Sequence, residues 1–163
     1  MNEMERVTLR EMTAEEYARF RAYSIEHHAA DLAGGAPSAD ARFRAAAEFD
    51  GLLPQGLSTP DNRLMTITEE GTRPVGYIWY LFEETDGVKQ VFLADFVIDE
   101  RERRKGFGAA ALHEMEKAAR ESGCAEAVLW VYHDNTAAVR LYTKEGYRPF
   151  RGDAAGTYMK KPL

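Results

Sequence analysis

Cysteine is nearly absent: Cys124 stands alone among 163 residues. One thiol supports neither a disulfide framework nor a CxxC site, and such economy suits a reducing cytoplasm. No run approaches the roughly 20 apolar residues of a membrane-spanning helix. Met1 to Arg10 also lacks the apolar core of a signal peptide. Basic residues are the minority charge, 21 Lys and Arg against 27 Asp and Glu. A net charge of −6 argues against a general nucleic-acid or membrane-surface binder. The four histidines, His27, His28, His113 and His133, lack metal-ligand spacing, and His113-Glu114 is followed by Lys117 where HExxH needs histidine, so no metal is expected. There is no GxSxG elbow and no GxxxxGK[ST] phosphate loop. Neither a repeat nor a low-complexity linker divides the chain, which reads as one domain over residues 1–163.

What is present is an ordered succession of caps, apolar runs and stops. Val7-Thr8-Leu9 reads as a strand, and Thr13-Ala14-Glu15-Glu16 as a capping box opening a helix to about Ala30. Gly34-Gly35-Ala36-Pro37 breaks it, and Ser38 starts a second helix ending near Leu53-Pro54. Leu64 to Thr68, Val75 to Phe82 and Val88 to Ile98 read as strands joined by turns at Glu69-Glu70-Gly71-Thr72 and Asp86-Gly87. A helix follows from Gly106 to about Ser122, with Phe107, Ala111, Met115 and Ala118 on one face. Ala125 to Tyr132 is a strand buried on both sides. Asn135 to Glu145 is a helix stopped by Gly146, and Tyr147 to Phe150 and Gly156 to Met159 close the chain. The class is α/β or α+β with a mixed sheet.

The most informative stretch is Arg103-Arg104-Lys105-Gly106-Phe107-Gly108-Ala109. It lies between an apolar strand and an amphipathic helix. A helix start exposes unpaired N–H groups and a positive dipole end, which bind anions. Two glycines clear space beside those amides, and basic residues just upstream add charge. We read a pyrophosphate seat. Gly106 to Ala111 also fits the dinucleotide pattern GxGxxA, but a charged segment, Asp99 to Lys105, separates strand from glycine. Too few residues follow Gly106 for the further βαβ units such a fold needs. A glycine-rich helix start with no ligand is the plainest alternative.

The glycines have company. Arg103-x-x-Gly106-x-Gly108-Ala109 resembles the first half of the acetyl-CoA signature of the GNAT superfamily of N-acetyltransferases. Asn135-x-x-Ala138-x-x-Leu141-Tyr142-x-x-x-Gly146-Tyr147 resembles the second half, and the element order agrees from Val7 onward. Gly51-Leu52-Leu53-Pro54-Gln55-Gly56-Leu57, with Thr59-Pro60, looks like the small bacterial YycN-type branch.

The resemblance implies a mostly antiparallel mixed sheet of about seven strands flanked by four helices, with a V-shaped cleft where Val88–Ile98 and Ala125–Tyr132 splay. It implies acetyl-CoA as co-substrate, its pantetheine arm against Phe96, Val97 and Ile98. Its pyrophosphate would rest on the amides from Arg104 through Lys105, Gly106, Phe107 and Gly108 to Ala109, with charge from Arg103 and Arg104. Arg101, Arg103, Arg104 and Lys105 otherwise read as a solvated face. Asn135 would cap its helix, reach the pantetheine, or both. A strand amide near Val97 or Ile98 would polarise the thioester carbonyl. Homodimers are common in the superfamily.

The implied reaction is attack of a primary amine on the thioester. An alkylamine near 10.4 is only about one part in 10³ unprotonated at neutral pH, so a base is useful. Asp95 is the candidate, read as sharing a strand face with Leu93 and Val97, where an unpaired carboxylate is costly; Glu83 and Glu26 are weaker candidates. Tyr142 is the candidate acid for the leaving thiolate, with Ala138 and Leu141 on the same helix face. The acceptor side would include Tyr23, Glu26, His27 and Tyr80, with Tyr77 and Trp79. Those groups suit a cationic small-molecule or peptide amine. The rival class is a non-catalytic acyl-CoA-binding or regulatory module.

Overall fold

Thr13 fixes where the first helix begins: its hydroxyl accepts from the Glu16 amide at 3.1 Å, and the Glu16 carboxylate accepts from the Thr13 amide at 2.9 Å. The computed structural model describes residues 6–163; residues 1–5, half of the segment searched for a leader, lie outside the described residues. The described residues form two compact units, one of Met12–Asn62 and one of residues 6–11 with Arg63–Leu163.

The smaller unit is a helical pair. Helix α1 spans Ala14–Ala33 and ends at Gly34, whose φ of 69° closes the last turn with a bond to Ala30. Helix α2 spans Ala39–Leu52, capped by the Ser38 hydroxyl. Ala29, Ala41 and Ala45 are fully or nearly fully buried between them, with Ile25 and Leu32 alongside. Such small side chains let helix backbones approach closely. Phe20 and Phe49 meet edge to face at 5.7 Å.

The larger unit is a seven-stranded sheet in the order β1-β2-β3-β4-β5-β7-β6. Its strands are β1 (Val7–Glu11), β2 (Asn62–Glu69), β3 (Arg73–Thr85), β4 (Val88–Ile98), β5 (Glu126–Tyr132), β6 (Arg148–Gly152) and β7 (Gly156–Pro162). β4 and β5 run parallel, whereas β1–β2, β3–β4, β5–β7 and β6–β7 are antiparallel. Helix α3 spans Phe107–Glu121 and α4 spans Thr136–Lys144. The expected strand and helix order is the observed one.

The core lies between the sheet and α3 with α4. Ile78, Val91, Leu93, Leu129, Val131, Phe107, Ala111, Leu112 and Met115 fill it. Cys124 is buried there, and burial pushes its thiol up. Glu116 is an exception among these apolar groups. It is 1% exposed and satisfied by the Tyr147 hydroxyl at 2.9 Å and by Lys161 at 2.8 Å. Two acceptor oxygens with two donors make that burial tolerable.

One irregularity redirects the centre of the sheet. Leu93 pairs with Tyr80 and Asp95 with Trp79, so Ala94 is an extra residue in β4. A bulge of this kind shifts the side-chain alternation by one residue. Val91 and Leu93 face the core before it, whereas Phe96 and Ile98 pack against the core after it. Asp95 therefore does not share a face with Leu93, contrary to the strict alternation expected from the sequence. The bulge places it with Val97 on the opposite face, across from Trp79 and Tyr77.

Candidate active site

Pairing between β4 and β5 stops at Leu93 opposite Leu129. Both strands continue, β4 to Ile98 and β5 to Tyr132. They run on unpaired with each other, so the sheet is split at its centre. Asp95 stands just beyond the fork.

Ladder geometry decides which backbone groups face that split. The Asp99 amide donates to the Val75 carbonyl at 2.8 Å, and alternate residues of an antiparallel strand bond the same neighbour. Val97, paired with Tyr77, thus turns its amide and carbonyl toward β3. The expectation that Val97 offers an amide to a ligand fails for this reason. Phe96 and Ile98 face the split. The Phe96 N–H is held by the Asp95 carboxylate at 2.9 Å, and the Ile98 carbonyl accepts from Arg103 Nε at 3.0 Å. This leaves the Phe96 carbonyl and Ile98 amide to meet a strand-like ligand.

Beyond Ile98 the chain makes a short 3-10 turn, Glu100–Glu102, and reaches α3 through two left-handed residues. Arg104 has φ 64° and Gly106 φ 85°. Successive turns of this hand gather amides into an anion-binding concavity. Helix α3 has no side-chain cap and no acid in its first turn. By contrast Thr13, Ser38 and Asn135 each cap their own helix. Among the described α-helices, α3 alone keeps its first amides open.

The signature residues divide by role. Phe107 is 2% exposed and belongs to the core, so it offers its amide and not its ring. At Gly108 a Cβ would come within 3.2 Å of Leu141 and 3.8 Å of the Phe96 ring. Its lack of a side chain serves packing against α4 and β4, a reason the phosphate argument did not supply. Lys105 pairs with Glu102 at 3.0 Å, and Arg73 joins Glu102 to Glu69. That network is fastened to Arg6 at 2.8 Å. Lys105 thus braces the loop. These contacts hold the Glu102 carboxyl down to about 2, chiefly through Arg73.

Tyr142 shares one face of α4 with Ala138 and Leu141, as expected; that face is turned to the core, where Tyr142 is buried and meets Tyr147 edge to face at 5.9 Å. Burial, and then the charge of Asp95, push its phenol up to about 12. A thiol near 8.5 is a much stronger acid, so full proton transfer from this phenol to a thiolate is unfavourable. Tyr142 is suited to donate a hydrogen bond to a thiolate while keeping its proton. Asn135 caps α4, accepting from the Ala138 amide at 3.3 Å. Asp95 also receives the Tyr77 hydroxyl at 3.2 Å.

The acceptor-side expectations are altered in part. Tyr80 is 3% exposed and packs on Phe82 in the core, since strand alternation sends it to the α3 face. Tyr77 and Trp79 occupy the face with Asp95. On α1, His27 stacks on Tyr23 with ring centroids 3.9 Å apart. Glu26 is bound by both Arg42 nitrogens at 2.9 and 3.0 Å, and that guanidinium holds its carboxyl below the usual range. Glu83 accepts from Gln90 at 2.6 Å. The sequence reading missed Glu116, which in a helical pattern looks like any solvent-facing acid, and Trp130, hidden in a continuous apolar run.

The chain is thus an α/β protein whose mixed sheet forks at its centre beside the uncapped start of α3. The chain belongs to the GNAT family of acetyltransferases, whose model matches residues 13–147. It is 31% identical over 144 residues to the uncharacterized N-acetyltransferase YycN of Bacillus subtilis, covering 87% of this chain and 92% of that one. The crystal structure of YycN superimposes with a TM-score of 0.80 at 30% identity, over 90% of this chain and 95% of the other. A PaiA N-acetyltransferase from Thermoplasma acidophilum, solved in complex with coenzyme A, shares the fold at 18% identity. Its TM-score is 0.70, over 96% of this chain and 99% of that one. Among the described residues no helix is long and apolar enough to cross a membrane, and no group of side chains could hold a metal ion.

Proposed function

We propose that the protein is an acetyl-CoA-dependent N-acetyltransferase that moves an acetyl group to a primary amine by direct attack on the thioester, working as one catalytic domain in the cytoplasm. The observation that carries this reading is the fork after Leu93 and Leu129 beside the uncapped start of α3. A pantetheine arm fits the Phe96 carbonyl and Ile98 amide as an added strand would. The amides around Gly106 suit the pyrophosphate, with Arg104 adding charge.

In the reaction the amine nitrogen forms a bond to the carbonyl carbon and the carbon–sulfur bond breaks. Asp95 takes the proton lost by nitrogen, directly or through one water, with the Tyr77 hydroxyl orienting its carboxylate. The Ile98 amide steadies the developing oxyanion. Tyr142 donates a hydrogen bond to the departing thiolate, and solvent completes its protonation. Tyr80, buried in the core, is no acceptor-side candidate.

Thiol release from acetyl-CoA across a panel of amines tests the reading, alongside thermal stabilisation by CoA. Turnover on any amine supports it. Stabilisation without turnover would favour the binding-module alternative, and neither response would refute both.

A further inference from the structure

On the sheet face away from α3, one row of residues crosses the larger unit. Trp130 on β5 lies opposite Tyr158 on β7, and Tyr158 lies opposite Arg151 on β6. Trp130 follows Leu129, the last residue paired across the fork, so its neighbour over the split is the Asp95 end of β4. Gly156 makes room for this row, because a Cβ there would come within 2.5 Å of the Trp130 ring. The Arg151 guanidinium rests 4.9 Å above Tyr158, and Lys160 Nζ lies 4.8 Å from the Phe150 ring.

The charges on this row are unevenly matched. Arg6, Arg19, Arg21, Arg42 and Arg73 are ion-paired. Among the described residues Arg151 and Lys160 have no carboxylate partner. A protein of net charge −6 here presents two cations without a carboxylate partner beside a floor of half-buried aromatic rings, Trp130 and Tyr158. The row therefore runs from a carboxylate at the fork, over two rings, to free positive charge at the sheet edge.

Neighbouring strands lie about 4.8 Å apart, so Asp95 to Arg151 spans roughly 15–20 Å with the fork included. An extended chain covers that in about five residues. Building on the acetyltransferase reading, we infer that the acceptor is the N-terminal amine of an extended acidic peptide segment. Its ammonium faces Asp95, its first side chains lie on Trp130 and Tyr158, and an acid about five residues along meets Arg151 and Lys160. Main-chain polar groups then stay solvated along the floor while charge fixes direction.

The test uses the intact protein with CoA and three fluorescein-labelled peptides of about eight residues, long enough to cover that span. They are identical except for glutamate, glutamine or lysine around the fifth position, and binding is read by anisotropy at low salt. The glutamate peptide should bind about tenfold tighter than the glutamine one, and the lysine peptide weakest. Arg151→Glu with Lys160→Glu should invert that order. The milder Arg151→Gln with Lys160→Gln should level it, and retained stabilisation by CoA reports that each variant is folded. Equal binding of the three peptides would overturn the inference. So would a preference that survives charge reversal, which would leave the cations as guards of an exposed strand edge. Because anisotropy needs no turnover, its failure is separate from failure of the amine panel.

Discussion

The carboxylate of Asp95 bears electrostatically on the phenol of Tyr142. With burial as the larger cause, it pushes Tyr142 up to about 12. The two groups read from the sequence as separate base and acid are therefore coupled. A negative charge at Asp95 adds to burial in keeping the Tyr142 phenol protonated.

Tyr142→Phe preserves the ring that fills the core and removes only the donor. Turnover should fall roughly ten- to hundredfold with little change in CoA affinity. Because the phenol is raised, it stays neutral as pH climbs and ionises only near 12. Any alkaline limb of the wild-type rate profile below pH 11 must persist in the variant. A limb that disappears with the hydroxyl would contradict the assignment.

Asp95→Asn keeps an oxygen to accept the Phe96 N–H, so the bulge should survive. Turnover at neutral pH should drop about a hundredfold and recover as pH approaches the amine pKa near 10.4. A rate that stays flat between pH 7 and about 10 in both proteins would remove Asp95 from the role.

Glu102 has its pKa lowered to about 2, so its pairing with Arg73 and Lys105 contributes stability above the ordinary carboxylate range of about 4.5. That contribution is lost as pH falls through about 2. Wild type and Glu102→Gln should differ in thermal midpoint near pH 6 and converge toward pH 2. A constant gap over that range would show that the ion pairs are not its source.

Lys161 pairs with Glu116, which is 1% exposed. Lys161→Met strands a buried carboxylate and should cost about 3–5 kcal/mol in denaturant unfolding. Adding Glu116→Leu should restore most of the loss. If the double variant is as weak as the single, the ion pair is not the cause.

Boundaries were legible because their chemistry is local. Thr13 and Ser38 announce helix starts, and Gly34 and Gly146 announce stops. The uncapped start of α3 was legible too, as glycine and basic residues where a capping side chain would stand. What escaped was set by partners distant in sequence. No residue type marks Ala94 as a bulge; only its pairing with β3 does, and that pairing moved Asp95 to the other face. The same ladder turned Val97 away from the fork, and alternation around Trp79 sent Tyr80 into the core. Glu116 became a buried group only because Tyr147 and Lys161 fold over it.

Gly106 carries the central claim. Its φ of 85° suits a residue without Cβ, and Gly106→Ala costs about 1–2 kcal/mol in that conformation while turning the first amides of α3 away. Calorimetry of CoA and of pantetheine, which lacks the pyrophosphate together with the 3′-phosphoadenosine, measures what that whole portion adds, and Gly106→Ala isolates the share that depends on the first amides of α3. CoA should bind wild type far more tightly than pantetheine, and Gly106→Ala should erase most of the difference. Equal affinities for the two ligands in wild type, or a difference untouched by Gly106→Ala, would contradict the account.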